Sequence, residues 1–598
     1  MPDDHNDIVT ATWSLSVEQA NSLVPNGLAR PILKIAAVLN PDGCPRRVFT
    51  TSTVRKYVET CNDDAGDQPI TEAHIKATLR NLHKLSLIDD DASAAADAEV
   101  RMHALVQRAV AESLTDETYG QVVQVAADSL LELWPNGRVQ SDLVHALRSN
   151  TEFMLNGCMP QLLSDGCHEL LYRHGESLTA AGLAATAVEH FVTLRTSIEE
   201  SDPDHLDIAF LTLSLGDALE EAGRFSDALK EYRQLLRDEL NRRGSDDEGA
   251  LHVRSVLAEC LGRAGDAKGS VRAFEELLRD RVRIHGPSHE LSFDTRRRLV
   301  SARSHAGDVA GAIATCQELL ADELLVRGRD HPHTRHTQMH LADEIGASGD
   351  VDGAIEILET LLLQVTQMYG GNHEETFSIR HNLAHWYAGD GRYQAAIEII
   401  RVLLEDEKEA LGESHPNILD LQSHLADFIG ADGNPEEALL ISQEILELHL
   451  SERGREHPDT LDARGLVAHW KGRSGEFAEA AQEYMLLLKD CEAILGPDHI
   501  MTVRMIQHLA SALRQVGDMC GSLLALERLA SDRERIHGSD DPRTLEARDY
   551  LAYHCLLIGE DEKALKAFKD LHTDQVRLLG EDHPQTLHSR EHIEEMES

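Results

Sequence analysis

Histidine is the residue type in this chain with the widest chemical range, because an imidazole can bind a metal, carry a proton or recognise a charged group. The sequence of 598 residues contains 33 histidines. His336 and His340 are four residues apart, and so are His381 and His385. That spacing places two rings on one face of a helix and could hold zinc, with Asp343 or Asp427 as a third ligand. We predict no metal, because polar residues lining a groove explain the same pattern.

A second set of histidines recurs in steps of 42 residues or a multiple of 42. Its members are His205, His289, His331, His373, His415, His457, His499 and His583. Equivalent positions in stacked helices are about 8–10 Å or more apart, whereas a zinc–nitrogen bond is about 2 Å long. One metal ion cannot bridge such a ladder, so we interpret these histidines as turn and cap residues.

Catalytic signatures are missing from the sequence. It contains no Gly-x-Ser-x-Gly, no His-Glu-x-x-His and no cysteine with a recognisable local motif. The nine cysteines are scattered, and none forms Cys-x-x-Cys. This pattern is typical of reduced thiols in a cytosol. We therefore predict no enzyme activity and no cofactor.

The net charge of −47 argues against nucleic acid and anionic membranes as partners, since both need neutralising lysines and arginines. No apolar run reaches 18 residues, so no membrane span is predicted. The start, Met1-Pro2-Asp3-Asp4, is acidic and lacks the apolar stretch of a secretion signal. A cytoplasmic protein is expected.

An internal repeat determines the predicted architecture. Glycines recur every 42 residues from Gly244 to Gly580, and nine complete units run from about His205 to about Asp582. In the unit that starts at His331, the spacing predicts one helix over 335–348 and a second over 351–369. One such hairpin cannot bury its own apolar face, so neighbours must stack. The fold class is all-α, an α-solenoid with a concave side.

The array resembles tetratricopeptide repeats of the 42-residue kinesin-light-chain-like type. The residues that carry the resemblance are the Gly-x-x-His-Pro-x-Thr-Leu joint at 454–461 and 580–587, the Leu-Ala pairs, and the glycine followed five residues later by alanine. The resemblance implies nine repeats over 205–582. It also implies a degenerate repeat at 165–204 and a capping helix at 583–598.

Residues 1–116 lack this period and predict a small winged-helix domain. Helices precede two short β-like stretches, Ser86–Ile88 and Val100–Met102, which flank the polar loop 89–99. Residues 117–164 are predicted as a helical connector of two helices, over 122–133 and about 141–155.

The N-terminal segment also resembles the winged-helix part of actinobacterial NB-ARC (STAND) ATPases, through residues 12–16, 28–30 and 100–107. In that family a histidine at the position of His103 lies near the β-phosphate of ADP. The sequence contains no Gly-Lys dipeptide and hence no P-loop to hold phosphates. The strand-like Leu85–Asp90 is interpreted as a hairpin edge. His103 is interpreted as a remnant nucleotide sensor, now a hydrogen-bonded structural residue or a contact to a separate P-loop ATPase subunit.

The resemblance to tetratricopeptide repeats implies that the first helices line a ligand groove. Mapped onto this sequence, the polar candidates are His336, Asp343, His381, His385, Asp427, His469 and Arg473. Gly346, Gly430 and Gly472 are candidates for a close approach of a ligand to the backbone. A groove of aspartates and histidines should prefer a neutral or basic segment of a protein or peptide.

Three functional hypotheses follow. The first is a non-catalytic scaffold or sensor for protein–protein interaction in signalling, regulation or defence. The second is the C-terminal regulatory part of a split or truncated STAND ATPase switch. The third is a DNA-binding regulator, against which the 11 Lys/Arg and 17 Asp/Glu of residues 1–116 argue.

Overall fold

The computed structural model describes residues 15–62, 69–90, 99–135, 142–164, 166–201, 207–411, 416–497, 499–539, 541–579, 581 and 584–597. The chain divides into two compact units, Met1–Ala218 and Leu219–Ser598. No helix within these ranges is long and apolar enough to cross a bilayer.

The described part of the first unit consists of short helices and one small sheet. Its helices are α1 (residues 15–22), α2 (Ala29–Ala36), α3 (Ser52–Thr60), α4 (Glu72–Lys84), α5 (Ala104–Glu112), α6 (Asp116–Leu133), α7 (Asp142–Leu162), α8 (Glu169–Ala180) and α9 (Ala184–Ser201). A 3-10 helix covers Arg46–Thr50. The strands are β1 (Cys44–Pro45), β2 (Asp89–Asp90) and β3 (Glu99–Arg101), in the order β1-β3-β2.

The antiparallel pairing of β2 with β3 agrees with a hairpin at this place, and β2 is an edge strand. The strand predicted at 86–88 is wrong, because these residues form the turn after α4 and the strand begins at Asp89. Asp90 aligns opposite Val100 and is buried, with a carboxylate oxygen 2.8 Å from the Arg46 guanidinium. The acidic end of the strand-like run is thus part of the fold. The assignment of this segment to the winged-helix class stays a prediction.

The connector and the degenerate repeat were predicted as helices, and helices lie there. α6 and α7 cover the two predicted connector helices and extend beyond them. α8 and α9 form a helical pair, with Gly182 at φ 75° between them. That this pair is a degenerate repeat stays a prediction.

Helical hairpins continue through the rest of the described chain. The first helices are α10 (Asp207–Glu221), α12 (Glu248–Arg263), α14 (Glu290–His305), α16 (Pro332–Ala347), α18 (Glu374–Gly389), α20 (Pro416–Ala431), α22 (Pro458–Arg473), α24 (Ile500–Val516), α26 (Pro542–Leu557) and α28 (Pro584–Glu597). The second helices are α11 (Phe225–Arg243), α13 (Ala267–His285), α15 (Val309–Val326), α17 (Val351–Tyr369), α19 (Tyr393–Leu411), α21 (Pro435–Arg453), α23 (Phe477–Ile494), α25 (Met519–His537) and α27 (Asp561–Leu579). The α-solenoid is confirmed, although α16 begins three residues earlier than predicted.

The joint between repeats is built by a glycine and a capped helix start. Gly454 ends α21 with φ 79° and ψ 173°, a backbone region that only glycine adopts readily. His457 then caps α22, because its Nδ1 accepts the backbone N–H of Asp459 at 3.2 Å. The Thr460 hydroxyl donates to the Gly454 carbonyl at 2.7 Å. The joint motif is therefore a folding signal.

Other joints use the same cap. His289, His331, His373 and His499 accept the backbone N–H two residues later, and Asp247 and Asp541 do so at equivalent positions. The interpretation of the joint histidines as cap residues is confirmed at these positions. His205, His415 and His583 lie outside the described residues.

Small buried residues and ion pairs hold the two helices of a hairpin together. The residue five positions after the inter-helix glycine is almost completely buried throughout: Ala228, Ser270, Ala312, Ala354, Ala396, Ala438, Ala480, Ser522 and Ala564. An arginine on the first helix pairs with an aspartate on the second, at 2.5–2.8 Å, in several repeats: Arg254–Asp280, Arg296–Asp322, Arg380–Asp406, Arg464–Asp490 and Arg548–Asp574. These pairs fix the two helices of one repeat against each other.

Within the second unit, two residues that are 320 positions apart in sequence are in contact. The Arg543 guanidinium in α26 donates to the carbonyl of Gly223, and its centre lies 5.7 Å from the centroid of the Phe225 ring. The Nε of Arg543 also pairs with the Asp541 carboxylate at 3.0 Å. The start of α11 and the start of α26 therefore touch each other within this unit.

Candidate functional site

Three positions of the first helix form a polar strip that we call the first-helix strip. They are spaced by four and three residues, which places them on one side of a helix. The strip consists of His336, His340 and Asp343 in α16; Ser378, Asn382 and His385 in α18; Asp420, His424 and Asp427 in α20; Asp462, Leu466 and His469 in α22; and Arg504, His508 and Ser511 in α24. Because each member has its counterpart 42 residues away in the next first helix, the strip crosses the stacked repeats.

Asp343 is the centre of the first group of predicted site residues. The Trp386 indole Nε1 donates to its carboxylate at 2.9 Å. Burial raises the pKa of Asp343, while the hydrogen bond from Trp386 and the nearby His340 and His385 lower it. The rings of His336 and His340 pack edge to face at 4.5 Å. This group is already satisfied by its own hydrogen bond and ring contacts.

His381 belongs to a second group around a cavity of about 690 Å³. Its ring packs against His424 of the next repeat at 4.9 Å, and Phe377, Asn382 and Asp420 also border the cavity. Burial lowers the pKa of both imidazoles below the usual value, so they are neutral at neutral pH.

Asp427 and His469 line a third site, a cavity of about 540 Å³ between α20, α22 and α24, with α21 beneath them. Asp420 borders this cavity as well as the one beside His381, so the two adjoin. The walls combine carboxylates, imidazoles and apolar side chains such as Leu419 and Met505. We call it the Asp427 cavity.

The Asp427 cavity is acidic at neutral pH. The surrounding protein and the neighbouring carboxylate of Asp462 raise the pKa of Asp427 to about 6, so that it is mostly ionised at pH 7. Burial lowers the pKa of His469 and brings that of His508 to about 4, which leaves both rings uncharged. Negative charge at this place is therefore not offset by these histidines.

Gly346 and Gly430 serve a different purpose from the one predicted. A Cβ at Gly346 would lie 2.5 Å from the Trp386 ring, and one at Gly430 would lie 2.0 Å from the Trp470 ring. The indole of the next repeat fills the space that the glycine leaves. This corrects the prediction that the two glycines admit a ligand to the backbone.

The remaining predicted groove residues, Gly472 and Arg473, lie outside the three positions of the strip. Gly472 faces Ala480 of its own repeat, at 3.6 Å from a Cβ built on the glycine, which is ordinary contact between helices. Arg473 is exposed at the end of α22, close enough to His469 to help lower its pKa.

His103 acts as a structural residue in the first unit. Its Nδ1 accepts the backbone N–H of Leu105 at 3.2 Å and caps α5. It also borders a cavity of about 790 Å³ together with Asp42, Asp89 and Arg101. The interpretation as a hydrogen-bonded residue agrees with this geometry, and a role towards a separate ATPase subunit stays a prediction.

Across the described ranges, no group of three or more histidine, cysteine, aspartate or glutamate side chains could hold a metal ion. The His336/His340 rings pack on each other, and Asp343 is bonded to Trp386, so these side chains are engaged within the protein.

Several residues that line the Asp427 cavity were not predicted as site residues from the sequence: Asp420, His449, Asp462, Arg504 and His508. Four of them could have been found by following the 42-residue columns, since Asp420, Asp462 and Arg504 share one position and His508 is two repeats beyond His424. His449 belongs to a second helix. Reading the face of the first helix alone could not find it.

Residues 339–405 match the tetratricopeptide-repeat family. The structure is similar to that of a Podosopora anserina protein described as a kinesin light chain with nearly identical TPR-like repeats (23% identity, 35% of this chain and 96% of that chain, TM-score 0.32). It is also similar to yeast Tom70 (12%, 81% and 96%, TM-score 0.38). A further similar structure is a STAND protein with a tetratricopeptide-repeat sensor from Pyrococcus horikoshii (14%, 78% and 65%, TM-score 0.38). No curated protein matches the chain.

Proposed function

We propose that this chain is a non-catalytic scaffold or sensor that binds a neutral or basic segment of a protein or peptide along its first-helix strip. The observation that carries the proposal is the pair of adjoining cavities on α18, α20, α22 and α24, which share Asp420. Together they offer an elongated, polar surface with a negative charge, which suits an extended segment rather than a compact small molecule. We assign the scaffold to signalling, regulation or defence.

The experiment that tests this function is a peptide-display selection on the full chain, followed by fluorescence anisotropy with the enriched peptides. The test variant is Asp420→Lys, which reverses a charge that borders both cavities. The control is Glu444→Lys, which makes the same charge change at an exposed position of α21. We expect enrichment of sequences with Lys or Arg, and a loss of affinity of about tenfold or more in Asp420→Lys alone.

Two outcomes would contradict the proposal. One is a selection that enriches no sequence above the background of an empty support. The other is an equal loss of affinity in both variants, which would mean that the peptides respond to the net charge of the chain and not to the first-helix strip.

A further inference from the structure

Two aspartates of the first-helix strip occupy equivalent positions but have different surroundings. Asp343 and Asp427 are 84 residues apart, which is two repeats, and each is followed 43 residues later by a tryptophan. Trp386 Nε1 donates to Asp343 at 2.9 Å. Within the part of the chain that the structure describes, the Nε1 of Trp470 is buried and has no hydrogen-bond partner. The pair at Asp427 is thus a version of the same arrangement in which the hydrogen bond is not made.

The two indole rings are placed alike, so the difference lies with the aspartate. Each ring covers the glycine three residues after its aspartate, Gly346 or Gly430, with the same edge of the six-membered ring. Trp470 is only 4% exposed, so its Nε1 is shielded from bulk solvent. A buried donor without a partner is costly, and proteins rarely retain one without another use for the group that could satisfy it. The Asp427 carboxylate borders the cavity instead.

The charges of the cavity predict what this carboxylate binds. Four aspartates line it, Asp420, Asp427, Asp459 and Asp462, against the single guanidinium of Arg504, which is already paired with Asp462. Burial and the neighbouring carboxylate of Asp462 raise the pKa of Asp427. A cation bound next to Asp427 would favour its ionised form. A volume of about 540 Å³ lies within the range of ligand pockets, about 300–1,000 Å³, and exceeds what one water molecule fills.

We propose that the Asp427 cavity is the subsite for an arginine side chain of the bound segment, with the Asp427 carboxylate accepting its guanidinium N–H groups. This inference rests on the proposed function, since the arginine belongs to the segment that the first-helix strip binds. Leu419, Leu466 and Met505 supply apolar walls for the methylene stem of the side chain. A planar guanidinium can in addition stack on the imidazole rings of His469 and His508, which lysine cannot do.

The test uses the full chain and a probe that carries one guanidinium, N-acetyl-arginine amide, titrated by saturation-transfer NMR at pH 7.5 and low salt. N-acetyl-citrulline amide, which has the same shape without the charge, is the matched probe. Asp427→Asn is the test variant. Glu444→Gln is the control, since it makes the same charge change at an exposed position of α21 outside the first-helix strip. We expect the arginine probe to bind the wild type and Glu444→Gln alike, and Asp427→Asn at least fivefold more weakly.

The pH dependence supplies a second measurement that needs no variant. Binding of a cation favours the ionised form of Asp427, whose pKa is about 6 in the free protein. The affinity should therefore rise from pH 5 to pH 7 and then stay level. The other titratable and charged groups that line the cavity are Asp420 on the same helix, His449 on α21, Asp459, Asp462 and His469 on α22, and Arg504 and His508 on α24.

The outcomes separate the subsite from the function as a whole. Equal binding of the citrulline probe, equal binding to Asp427→Asn, or no binding of the arginine probe to the wild type would overturn the arginine subsite. If display-selected peptides nevertheless bind the first-helix strip, the proposed function stands without this subsite. If no peptide is selected, the function itself fails.

Discussion

The joints between repeats and the first-helix strip use the same residue type under different constraints. At the joints, His289, His331, His373, His457 and His499 all make one hydrogen bond, from Nδ1 to the backbone N–H two residues later. On the strip, one column reads Asp343, His385, Asp427 and His469, and each of these has different neighbours. A position that keeps its residue from repeat to repeat serves the fold, whereas a position that changes is available for binding.

A glycine next to the first-helix strip gives the largest predicted effect. Gly430→Ala would set a Cβ 2.0 Å from the Trp470 ring, so the indole has to move out of its buried position. We expect a loss of stability of up to about 3 kcal/mol in α20 and α22. Native-state hydrogen exchange measures it locally, which suits an array whose repeats contact only their neighbours.

The control for this substitution is Gly389→Ala, at the end of α18, where a Cβ meets no atom within 4 Å. Alanine is preferred over glycine in a helix by about 0.5–1 kcal/mol, so this variant should be neutral or slightly stabilised. Equal exchange in both variants would mean that the Trp470 ring is not fixed by the space at Gly430.

A glycine at the joint tests the rule that a position with the same residue in every repeat serves the fold. Gly370 has φ 90° and ψ 174°, a region that residues with a Cβ avoid. Gly370→Ala should cost about 2 kcal/mol in the local stability of α17 and α18, again measured by hydrogen exchange. The neighbouring Gly371 has no such φ and is the matched control, since Gly371→Ala places its Cβ 3.4 Å from a flexible arginine end. A similar cost at both positions would refute the backbone explanation.

The repeat made most of the fold predictable from the sequence, because a strict period fixes helix ends through glycine and capping residues. The second helix of the unit at His331 was predicted at 351–369, the bounds that α17 has. The strand predicted at 86–88 was wrong, because the four residues 85–88 form the turn between α4 and β2, and no periodic signal marks such a turn. Local patterns therefore predict well where they are repeated and poorly where they occur once.

The site was predictable only in part, for a related reason. Asp427 and His469 were found by their position on the first helix, and they do line one cavity. The roles of Gly346 and Gly430 could not be predicted, because what fills the space above a glycine depends on a tryptophan 40 residues later. Spacing within one helix predicts a face, but the occupant of that face comes from the neighbouring repeat.

Removing a joint histidine should have a smaller effect than changing a glycine. His457→Ala deletes the acceptor for the Asp459 N–H, and loss of such a cap costs about 1 kcal/mol. His457→Asp should restore the stability, because Asp247 and Asp541 cap equivalent helices. The strip control is His385→Ala, at an exposed ring, where the change should stay within about 0.5 kcal/mol. Thermal unfolding of the four proteins checks the order, and a failure of aspartate to rescue would contradict the capping role.

The smallest predicted effect concerns the pH dependence of stability at a strip histidine. Burial holds the pKa of His508 at about 4, whereas an unfolded histidine titrates near 6.5. Below pH 6.5 the unfolded chain therefore takes up a proton that the folded chain does not, and the folded state loses stability as the pH falls towards 4. Between pH 7 and pH 6 this one group should account for a loss of about 0.7 kcal/mol, which His508→Gln should remove.

Asp427 provides the comparison for that measurement, because its pKa is raised to about 6 and the sign is opposite. Between about pH 4 and pH 6 the folded chain binds a proton at Asp427 that the unfolded chain has released, so this group stabilises the folded state at the acidic end of the range and ceases to do so as the pH rises through 6. Asp427→Asn should therefore steepen the loss of local stability on acidification, whereas His508→Gln should make that loss less steep.

Hydrogen exchange of α20 to α24 at several pH values, corrected for the intrinsic exchange rate, measures the pH dependence of local stability in both variants. If both variants changed the pH dependence of local stability in the same direction relative to the wild type, the cavity would not hold the two groups in opposite charge states.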